Sequence, residues 1–266
     1  MMKIGTVGCA GRMGLAVIKE IIATNGADVA GGTEVAGPAI GQDLGGLVGS
    51  KEVGVVVTSD PEELFAAADV VIDFTAPAAT LIHARCAAQV GTSYVVGTTG
   101  LGSEEQAAID AAAKTVPVIQ APNFSVGVNV AFEVTQQVAA ILGLEYDIEV
   151  VEIHHRHKAD APSGTAIGLG EAAARGRGVE LTDVQRLSRE GFSGPRPEGE
   201  IGFATLRGGG VVGDHTVVFA GEHERVEVTH KAASRAIFAR GAVRAALWQK
   251  GKAPGLYSMA DVLGFR

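Results

Sequence analysis

The run of imidazole and basic side chains from His154 to Lys158, here called the cationic run, is the part of this sequence best suited to chemistry. Each of its positions can carry a positive charge, although the whole chain is acidic, with a formal net charge of -8. A local concentration of positive charge in an acidic protein is typical of a site for an anionic ligand. Imidazole also exchanges protons near neutral pH, so the same residues could act as acids and bases.

The residues that follow the cationic run are typical of the start of a helix, with the sequence Pro162-Ser163-Gly164-Thr165. A helix N-terminus presents backbone N–H groups that lack partners within the helix, together with the positive end of the helix dipole. Both features favour an anion. The segment therefore predicts an anion site twice, once from its side chains and once from its backbone.

Two other interpretations of the cationic run stay open at this point. The run could be an ordinary solvated loop. Alternatively, His154, His155 and His157 could bind a metal ion, since imidazole is the commonest metal ligand. Adjacent residues of a strand point to opposite faces, however, and no cysteine or acidic residue lies nearby at a usual zinc spacing, so we expect no metal.

The composition of the chain narrows the classes of protein to consider. Its 266 residues suffice for one large domain or two ordinary ones, and 47% hydrophobic with 20% charged residues is a soluble, globular balance. We expect no membrane-crossing run and no secretory leader. The two cysteines, Cys9 and Cys86, lie among small or apolar residues, which favours a cytoplasmic protein without disulfides. The acidic pI of about 5.4 argues against binding to nucleic acid.

The N-terminal residues predict a nucleotide-binding turn. A short apolar strand over 3–7 precedes Gly8-Cys9-Ala10-Gly11-Arg12-Met13-Gly14, and a helical pattern follows over 15–23. This is a variant of the dinucleotide fingerprint, in which glycines allow the backbone to approach a pyrophosphate at a helix N-terminus. A tight strand-to-helix turn without a ligand would have the same pattern.

A second predicted strand, over 28–34, ends in the acidic residue Glu34. An acid at this point of a dinucleotide-binding fold can accept hydrogen bonds from the adenosine ribose. The other interpretation is an ordinary loop carboxylate. Val35 follows, where a basic residue would help to hold a 2′-phosphate, so charge favours NADH over NADPH. Arg12 is close enough in the motif to complicate that preference.

Strand and helix patterns then alternate as far as residue 120. We predict strands over 53–57, 69–75, 93–96 and 116–120, with helices over 78–90 and 103–114 and a helix start at Asp60-Pro61. This alternation predicts a doubly wound parallel sheet, in which ligands bind beyond the carboxyl ends of the strands. The predicted strand ends should line one crevice: Gly8 to Met13, Glu34, Phe74-Thr75, Gly97-Thr98-Thr99 and Ala121-Pro122-Asn123-Phe124.

The pattern changes after a predicted helix over 130–142. Residues 145–155 are strand-like, 163–175 are helical, and 201–231 alternate in the manner of half-exposed strands. We therefore predict a second, α+β domain with an open mixed sheet, whose free face a partner subunit could cover. A last helix over 234–249 and a tail over 256–263 could return to the first domain, but pattern alone does not require it.

The segment His154-His155-Arg156-His157-Lys158-Ala159-Asp160-Ala161-Pro162-Ser163-Gly164-Thr165-Ala166 resembles the signature of the 4-hydroxy-tetrahydrodipicolinate reductase (dihydrodipicolinate reductase) family of diaminopimelate and lysine biosynthesis. The resemblance extends over the chain. It includes Gly11-Arg12-Met13-Gly14, Val71-Ile72-Asp73-Phe74-Thr75, Gly97-Thr98-Thr99-Gly100, Asn123-Phe124-Ser125-Val126-Gly127-Val128-Asn129 and Gly241-Ala242-Val243-Arg244-Ala245-Ala246-Leu247-Trp248.

The resemblance implies a nicotinamide-dependent reductase that acts on a cyclic dicarboxylate. It implies a Rossmann-type domain over 1–125, completed by 235–266, that binds NADH or NADPH. It also implies a domain over 126–234 that binds the substrate and forms a homotetramer. Hinges would lie near Ser125-Val126 and Ser234-Arg235, and closure of the domains would exclude water.

Roles for individual residues also follow from the resemblance. It implies that His154 donates and accepts a proton, that Lys158 is a second proton donor, and that the substrate contacts His155, Ser163, Gly164 and Thr165. The implied cofactor contacts are Gly8, Cys9, Ala10, Gly11, Arg12, Met13, Glu34, Gly97, Thr98, Thr99, Ala121, Pro122, Asn123 and Phe124. Arg156 and His157 receive no role. The rival hypotheses are a non-catalytic NAD(H)-binding sensor and a metal-dependent hydrolase.

Overall fold

The computed structural model describes residues 1–265, which fold into two compact units. Unit 1 comprises Met1–Val126 together with the C-terminal segment from Ala236, and unit 2 comprises Gly127–Arg235. The functional roles assigned to the segments 1–125 and 126–234 stay predictions.

The secondary structure follows the chain in an alternating order through unit 1 and a mixed order through unit 2. The elements of the first 120 residues are β1 (Met2–Val7), α1 (Arg12–Ala23), β2 (Ala27–Thr33), α2 (Leu44–Leu47), β3 (Val57–Thr58), α3 (Pro61–Ala67), β4 (Val70–Asp73), α4 (Pro77–Val90), β5 (Ser93–Val96), α5 (Ser103–Ala112) and β6 (Pro117–Gln120). They are followed by α6 (Val126–Leu142), β7 (Asp147–His154), α7 (Gly164–Arg177), α8 (Leu181–Val184), β8 (Gln185–Arg186), β9 (Ile201–Arg207), β10 (Gly213–Ala220), β11 (Arg225–Ala232), α9 (Ala236–Trp248), β12 (Gly255–Tyr257) and α10 (Met259–Leu263).

Unit 1 is built on a parallel sheet of seven strands in the order β12-β6-β5-β4-β1-β2-β3. Its central strands are apolar and buried, as in β4, where Val70, Val71 and Ile72 have no exposed surface. Strands buried on both faces are typical of a sheet with helices on each side. The predicted doubly wound, Rossmann-type architecture is therefore confirmed. Strand order reverses at β1, between β2 and β4, which is the point where such sheets bind ligands.

The C-terminal segment belongs to unit 1. Strand β12 extends the sheet by pairing in parallel with β6, with Leu256 opposite Val118. Helix α9 packs against α1, and Gly241 of α9 abuts the backbone carbonyl of Phe124, where a Cβ atom would not fit. The sequence pattern alone did not predict this return. A strand as short as β12 has too few residues to show a pattern, and it can be identified only once its pairing with β6 is known.

The carboxyl end of β4 holds a fully buried carboxylate, Asp73. Its Oδ1 accepts hydrogen bonds from the N–H of Thr75 (2.8 Å), the hydroxyl of Thr75 (2.6 Å) and the hydroxyl of Thr98 (3.2 Å). Thr75 follows β4 and Thr98 follows β5, so one carboxylate joins the loops that leave two neighbouring strands.

The second oxygen of Asp73 accepts from helix α4 and from β5. Oδ2 lies 2.8 Å from Nδ1 of His83, 3.1 Å from the hydroxyl of Thr80 and 2.5 Å from the hydroxyl of Tyr94. Burial alone would raise the pKa of Asp73. The hydrogen bond and charge of His83, together with the other donors, instead lower that pKa below its ordinary value of 3.8.

Unit 2 contains a five-stranded mixed sheet in the order β11-β10-β7-β9-β8. Strands β7, β10 and β11 are antiparallel neighbours, and β9 runs parallel to β7 and β8. Alternate residues of β7, such as Ile148 and Val150, are buried against the core that includes residues of α6 and α7. The residues between them are half-buried, so the predicted α+β unit with an open sheet face is also confirmed.

The segment over 43–58 of unit 1 differs from the prediction in two ways. The strand predicted over 53–57 is reduced to β3, because Gly54 has a positive φ of 74° and the N–H groups of Val53 and Gly54 bond the carboxylate of Asp43. That carboxylate also accepts from Gly45 and Gly46 and caps α2, a helix that the glycine-rich composition concealed.

Helix α6 begins at Val126, before the predicted start at residue 130. Together with the following turn, the segment Val126–Glu145 is long and apolar enough to cross a membrane by length and composition, with a mean hydropathy of 1.2. The expectation that no run reaches this length was therefore wrong. Across an 18-residue stretch of this segment, 22% of the residues are buried. The buried residues of α6 recur at helical spacing and form one face of the helix: Val128, Ala131, Thr135 and Ala139.

Candidate active site

Strand β7 carries the first residue of the cationic run into the interior of unit 2. The side chains of Ile148, Val150, Glu152 and His154 alternate with half-buried neighbours and are all buried. A strand places every second side chain on the same face. The hydrophobic face of β7 therefore ends in a carboxylate and an imidazole, which the solvated-loop interpretation of His154 does not allow.

Glu152 is the central acceptor of this site, with 1% of its surface exposed. Its Oε2 lies 2.5 Å from Nδ1 of His154 and 2.9 Å from Nη1 of Arg207. Its Oε1 accepts from Nη2 of Arg207 (3.0 Å) and from the N–H of Ser163 (3.1 Å). Burial raises the pKa of a carboxyl group, but the hydrogen bonds from Arg207 and His154 outweigh burial and lower the pKa of Glu152 below 4.5. Glu152 is therefore ionised at neutral pH.

The hydrogen bond to Glu152 determines how His154 presents its ring. An ionised carboxylate only accepts hydrogen bonds, so Nδ1 of His154 carries the proton and Nε2 is left for other chemistry. Nε2 lies beside Gly213 of β10, where an added Cβ atom would be 2.8 Å away. A glycine at this position thus keeps the space beside the reactive nitrogen clear.

A second buried imidazole, His215 of β10, faces His154. The ring centroids are 5.0 Å apart with an edge-on arrangement, and Nε2 of His215 lies 3.1 Å from the hydroxyl of Ser163. Burial and the neighbouring His154 lower the pKa of His215 to about 4. His215 is consequently neutral at physiological pH and supports the start of α7 without adding charge.

The residues that converge are not the three histidines considered as metal ligands. Within the described part of the chain, donor atoms of Glu152, His154 and His215 lie within 4.8 Å of one another, and all three side chains are buried. Both oxygens of Glu152 are already paired with Arg207, a fixed cation that a metal ion would have to displace. The arrangement favours an ion-paired, hydrogen-bonded site over a metal centre.

The rest of the cationic run is less buried than His154. His155 is half-buried, and burial and the charges of Arg235 and His157 lower its pKa. Arg156 and His157 are exposed, in agreement with their lack of an assigned role. Lys158 is half-buried again and forms an ion pair with Asp160 at 2.9 Å.

The start of α7 provides the backbone part of the site. Ser163 is the N-cap, and its hydroxyl accepts from the N–H of Ala166 at 3.2 Å. The first turn contains no acidic residue, so the positive end of the helix dipole is not neutralised by the helix itself. A Cβ atom built on Gly164 meets nothing within 4 Å, so space is open beside the helix start. These features suit a carboxylate ligand.

Unit 1 brings the predicted nucleotide-binding segments together at the carboxyl ends of its strands. Gly8 has a positive φ of 62°, and a Cβ atom there would lie 2.7 Å from Cγ2 of Thr75. Gly14 packs so closely on the backbone of Cys9 that a Cβ atom would not fit. Glu34 accepts a hydrogen bond from the N–H of Ala10 at 2.8 Å. The turn therefore joins the ends of β1, β2 and β4.

The ends of β5 and β6 join the same edge of the sheet. The ring of Phe74 packs against the Cα of Gly97, where no side chain would fit, and lies edge-on to Phe124 with centroids 5.6 Å apart. The N–H of Ala121 bonds the carbonyl of Val96 at 3.2 Å. Helix α1 begins after Gly11 with no side-chain cap and no acid in its first turn, which leaves its N-terminus suited to a pyrophosphate.

Three of the residues that build the site in unit 2 were given no role from the sequence: Glu152, Arg207 and His215. Glu152 adjoins the cationic run, and its alternation with His154 on a strand was a signal that could have been used. Arg207 and His215 are distant in sequence and reach the site through strand pairing, with His154 opposite Arg207 and Glu152 opposite His215.

Comparison with known proteins gives matches over nearly the whole chain. A family model described as "Dihydrodipicolinate reductase, N-terminus" matches residues 2–124, and "Dihydrodipicolinate reductase, C-terminus" matches residues 127–263. A protein of Anaeromyxobacter dehalogenans (strain 2CP-C) named 4-hydroxy-tetrahydrodipicolinate reductase is 54% identical over 267 residues, covering 100% of this chain and 99% of the relative. A protein of the same name from Methylocella silvestris is 52% identical over 264 residues, covering 99% and 97%.

Solved structures share the fold. Dipicolinate-bound dihydrodipicolinate reductase from Paenisporosarcina sp. TG-14 has a TM-score of 0.78 at 23% identity and covers 98% of each chain. An amine dehydrogenase from Mycobacterium smegmatis has a TM-score of 0.65 at 14% identity, covering 97% of this chain and 95% of that one. At these identities the similarity is one of architecture.

Proposed function

The chain belongs to the dihydrodipicolinate reductase family, and on this premise we propose that it reduces 4-hydroxy-tetrahydrodipicolinate to tetrahydrodipicolinate with His154 as the proton-transfer residue. It is a nicotinamide-dependent oxidoreductase of diaminopimelate and lysine biosynthesis. The observation that supports the mechanism is the buried pair of Glu152 and His154 beside the start of α7, a helix with no acidic residue in its first turn. A sensor that only binds NAD(H) would have no use for a buried proton donor held in this way.

The substrate is a dicarboxylate, and unit 2 offers groups of opposite charge. We infer that the start of α7 binds one carboxylate through Ser163, Gly164 and Thr165, and that His155 contacts the substrate. The open space beside Gly164 and the absence of acid in the first turn support this assignment. The dipicolinate bound to the Paenisporosarcina protein is itself a cyclic dicarboxylate, consistent with this choice of ligand.

Proton transfer falls to His154, with Lys158 as a second donor. Nδ1 of His154 is held by Glu152, so the imidazole can gain a proton at Nε2 and deliver it to the reduced ring. Loss of the substrate hydroxyl as water also requires a proton, which the ammonium of Lys158 can donate to the leaving oxygen. Bound NADH or NADPH supplies the hydride.

The cofactor site is assigned to unit 1. The residues proposed to hold the dinucleotide are Gly8, Cys9, Ala10, Gly11, Arg12, Met13, Glu34, Gly97, Thr98, Thr99, Ala121, Pro122, Asn123 and Phe124. The close packing of the glycines and the uncapped start of α1 fit a pyrophosphate. Glu34 presents a carboxylate and the next residue, Val35, is 91% exposed and uncharged, so we propose that NADH is preferred to NADPH.

The activity and the preference are tested in one coupled assay. Substrate generated in situ should be reduced with oxidation of NADH, and kcat/KM should be higher for NADH than for NADPH. Replacing Glu34 with glutamine should reduce this preference by about tenfold, because one repulsive charge facing the 2′-phosphate is removed. Treatment with a chelator should leave the rate unchanged, since no step needs a metal.

Distinct results would contradict the separate claims. Absence of oxidation with either cofactor would remove the proposed reaction, and loss of activity on chelation would favour the metal-dependent hydrolase. A strong preference for NADPH would show that Arg12, exposed at the start of α1, outweighs Glu34.

We also propose a homotetramer built on the open sheet face of unit 2. That face carries half-buried or exposed apolar side chains on adjacent strands, including Val151 and Leu206. Exposed contiguous apolar surface on a sheet is typical of a subunit interface. Sedimentation equilibrium of the purified chain should give four times the 27.1 kDa protomer mass, and a monomer at micromolar concentration would contradict the proposal.

A further inference from the structure

We propose that Glu152 is a positioning residue that orients the imidazole of His154 and fixes the start of α7 with one side chain. The proposal rests on the function proposed above and adds to it a residue that touches neither the substrate nor the cofactor. It explains how the distance and orientation between the proton donor on β7 and the carboxylate-binding start of α7 are kept fixed.

The connection to His154 sets the tautomer and the direction of the ring. Oε2 of Glu152 accepts from Nδ1 at 2.5 Å, and both side chains are buried. A neutral imidazole in water exchanges between two tautomers, whereas a buried carboxylate at Nδ1 selects the one in which Nε2 lacks a proton. The proton-accepting nitrogen therefore always faces the space beside Gly213.

The connection to Ser163 sets the position of the helix. Oε1 of Glu152 accepts from the backbone N–H of Ser163 at 3.1 Å. The same residue caps α7 by accepting from Ala166 and is bonded on its other side to His215. The N-cap is thus held by hydrogen bonds from both strands β7 and β10, so α7 cannot shift without breaking a buried bond to Glu152.

Arg207 neutralises the charge of the buried Glu152 carboxylate. Its two terminal nitrogens bond the two oxygens of Glu152 at 2.9 and 3.0 Å, a geometry that compensates a buried carboxylate charge. Nη2 also donates to the backbone carbonyl of Asp160 at 2.6 Å. Asp160 is the ion-pair partner of Lys158, so the unit formed by Glu152 and Arg207 extends to the segment that carries the second proposed donor.

Replacing Glu152 with glutamine tests the proposal, because the amide keeps the shape but presents a donor on one side. We expect kcat to fall by about 10²–10⁴-fold, because misplacement of a catalytic group costs about 10²-fold and loss of the carboxylate that fixes the tautomer of a catalytic histidine costs up to about 10⁴-fold. We expect KM for the dicarboxylate to rise and KM for NADH to stay the same. In ¹⁵N-histidine-labelled protein, the nitrogen signals of His154, assigned with the His154→Ala variant, should change from one tautomer to a mixture.

The matched control is Glu149→Gln. Glu149 lies on the same strand but on the opposite face, where it pairs with Arg189 and Arg196. Its replacement should leave kcat and the His154 signals as in the wild type. Should Glu152→Gln not fold, Glu152→Asp keeps the charge but shortens its reach, and the same fall in kcat and the same mixture of tautomers are expected.

The outcomes separate the two proposals. Unchanged kcat together with a single His154 tautomer in a folded Glu152 variant would overturn the positioning role, whatever the reaction. A wild-type protein without reductase activity would overturn the proposed function, while the tautomer of His154 in the free protein would still test the role of Glu152.

Discussion

Replacing His154 with alanine is expected to lower kcat for the reduction about 10²–10⁴-fold, the contribution typical of a positioned general acid or base. The reason is local, because His154 is buried, is held at Nδ1 by Glu152 and has its other nitrogen beside Gly213, which has no side chain. Binding of NADH should be retained, since the proposed nucleotide contacts all lie in unit 1. The matched control is His157→Ala, which removes an exposed imidazole of the same run and should leave kcat within about twofold.

A second pair of variants tests access to Nε2 while keeping the imidazole. Gly213→Ala would place a Cβ atom 2.8 Å from Nε2, and the bond to Glu152 prevents the ring from moving away. Misplacement on this scale can cost about 10²-fold in rate. Gly213 also has a φ of 158°, which alanine rarely adopts, so the free energy of unfolding of this variant is measured together with its rate. Gly208→Ala is the control for added volume, because a Cβ atom there meets nothing within 4 Å.

Steady-state kinetics and NADH titration measure both effects. Retention of kcat in His154→Ala would remove this residue from the mechanism. Loss of NADH binding in that variant would mean instead that the substitution damages the fold, and the proposed role would then depend on the Gly213 and Gly208 pair alone.

The sequence was most informative where local pattern and architecture coincide. The alternation of strands and helices before residue 120 predicted the parallel sheet, because buried strands are apolar throughout and the helices between them have their own periodicity. The cationic run and the start of α7 could be recognised because a row of basic and imidazole residues is followed closely by residues typical of a helix start. Both the imidazole of His154 and the N-cap Ser163 lie where this pattern put them.

The groups that hold the site in place were much less visible. Arg207 and His215 reach Glu152 and Ser163 only because β9 and β10 flank β7 in a particular register. Register depends on which face of each strand meets the core, and that is a property of the assembled sheet. A lone arginine or histidine on an alternating strand gives no sign of the partner that it will meet.

The same holds for the carboxylate in unit 1. Asp73 was predicted only as part of a buried strand, and its hydrogen-bond partners come from α4, β5 and the loops after β4 and β5. A buried carboxylate must be paired, so its position at the end of β4 indicated that partners exist. Their identity required the three-dimensional contacts.

Replacing Asp73 with alanine is accordingly expected to destabilise unit 1 by about 3–5 kcal/mol, the cost of removing one partner from a buried charged network. The variant leaves the Nδ1 group of His83 and the hydroxyl of Tyr94 buried without their acceptor. Urea unfolding followed by the fluorescence of Trp248 measures the change, because the single tryptophan of the chain lies in unit 1. The control, Asp28→Ala, removes an exposed carboxylate and should change the free energy of unfolding by less than about 0.5 kcal/mol.

The pH dependence of that difference tests whether the charge of Asp73 is responsible. The pKa of Asp73 is lower in the folded protein than its ordinary value of 3.8, so the folded state favours the ionised form. The stability contributed by ionisation is therefore fully present above about pH 4 and is lost as the pH falls through the lowered pKa. We expect the gap between wild type and Asp73→Ala to narrow as the pH falls below about 4. A gap that instead widened on acidification would mean that Asp73 is protonated in the folded protein, and that hydrogen bonding by a neutral carboxyl group, not its charge, joins the ends of β4 and β5.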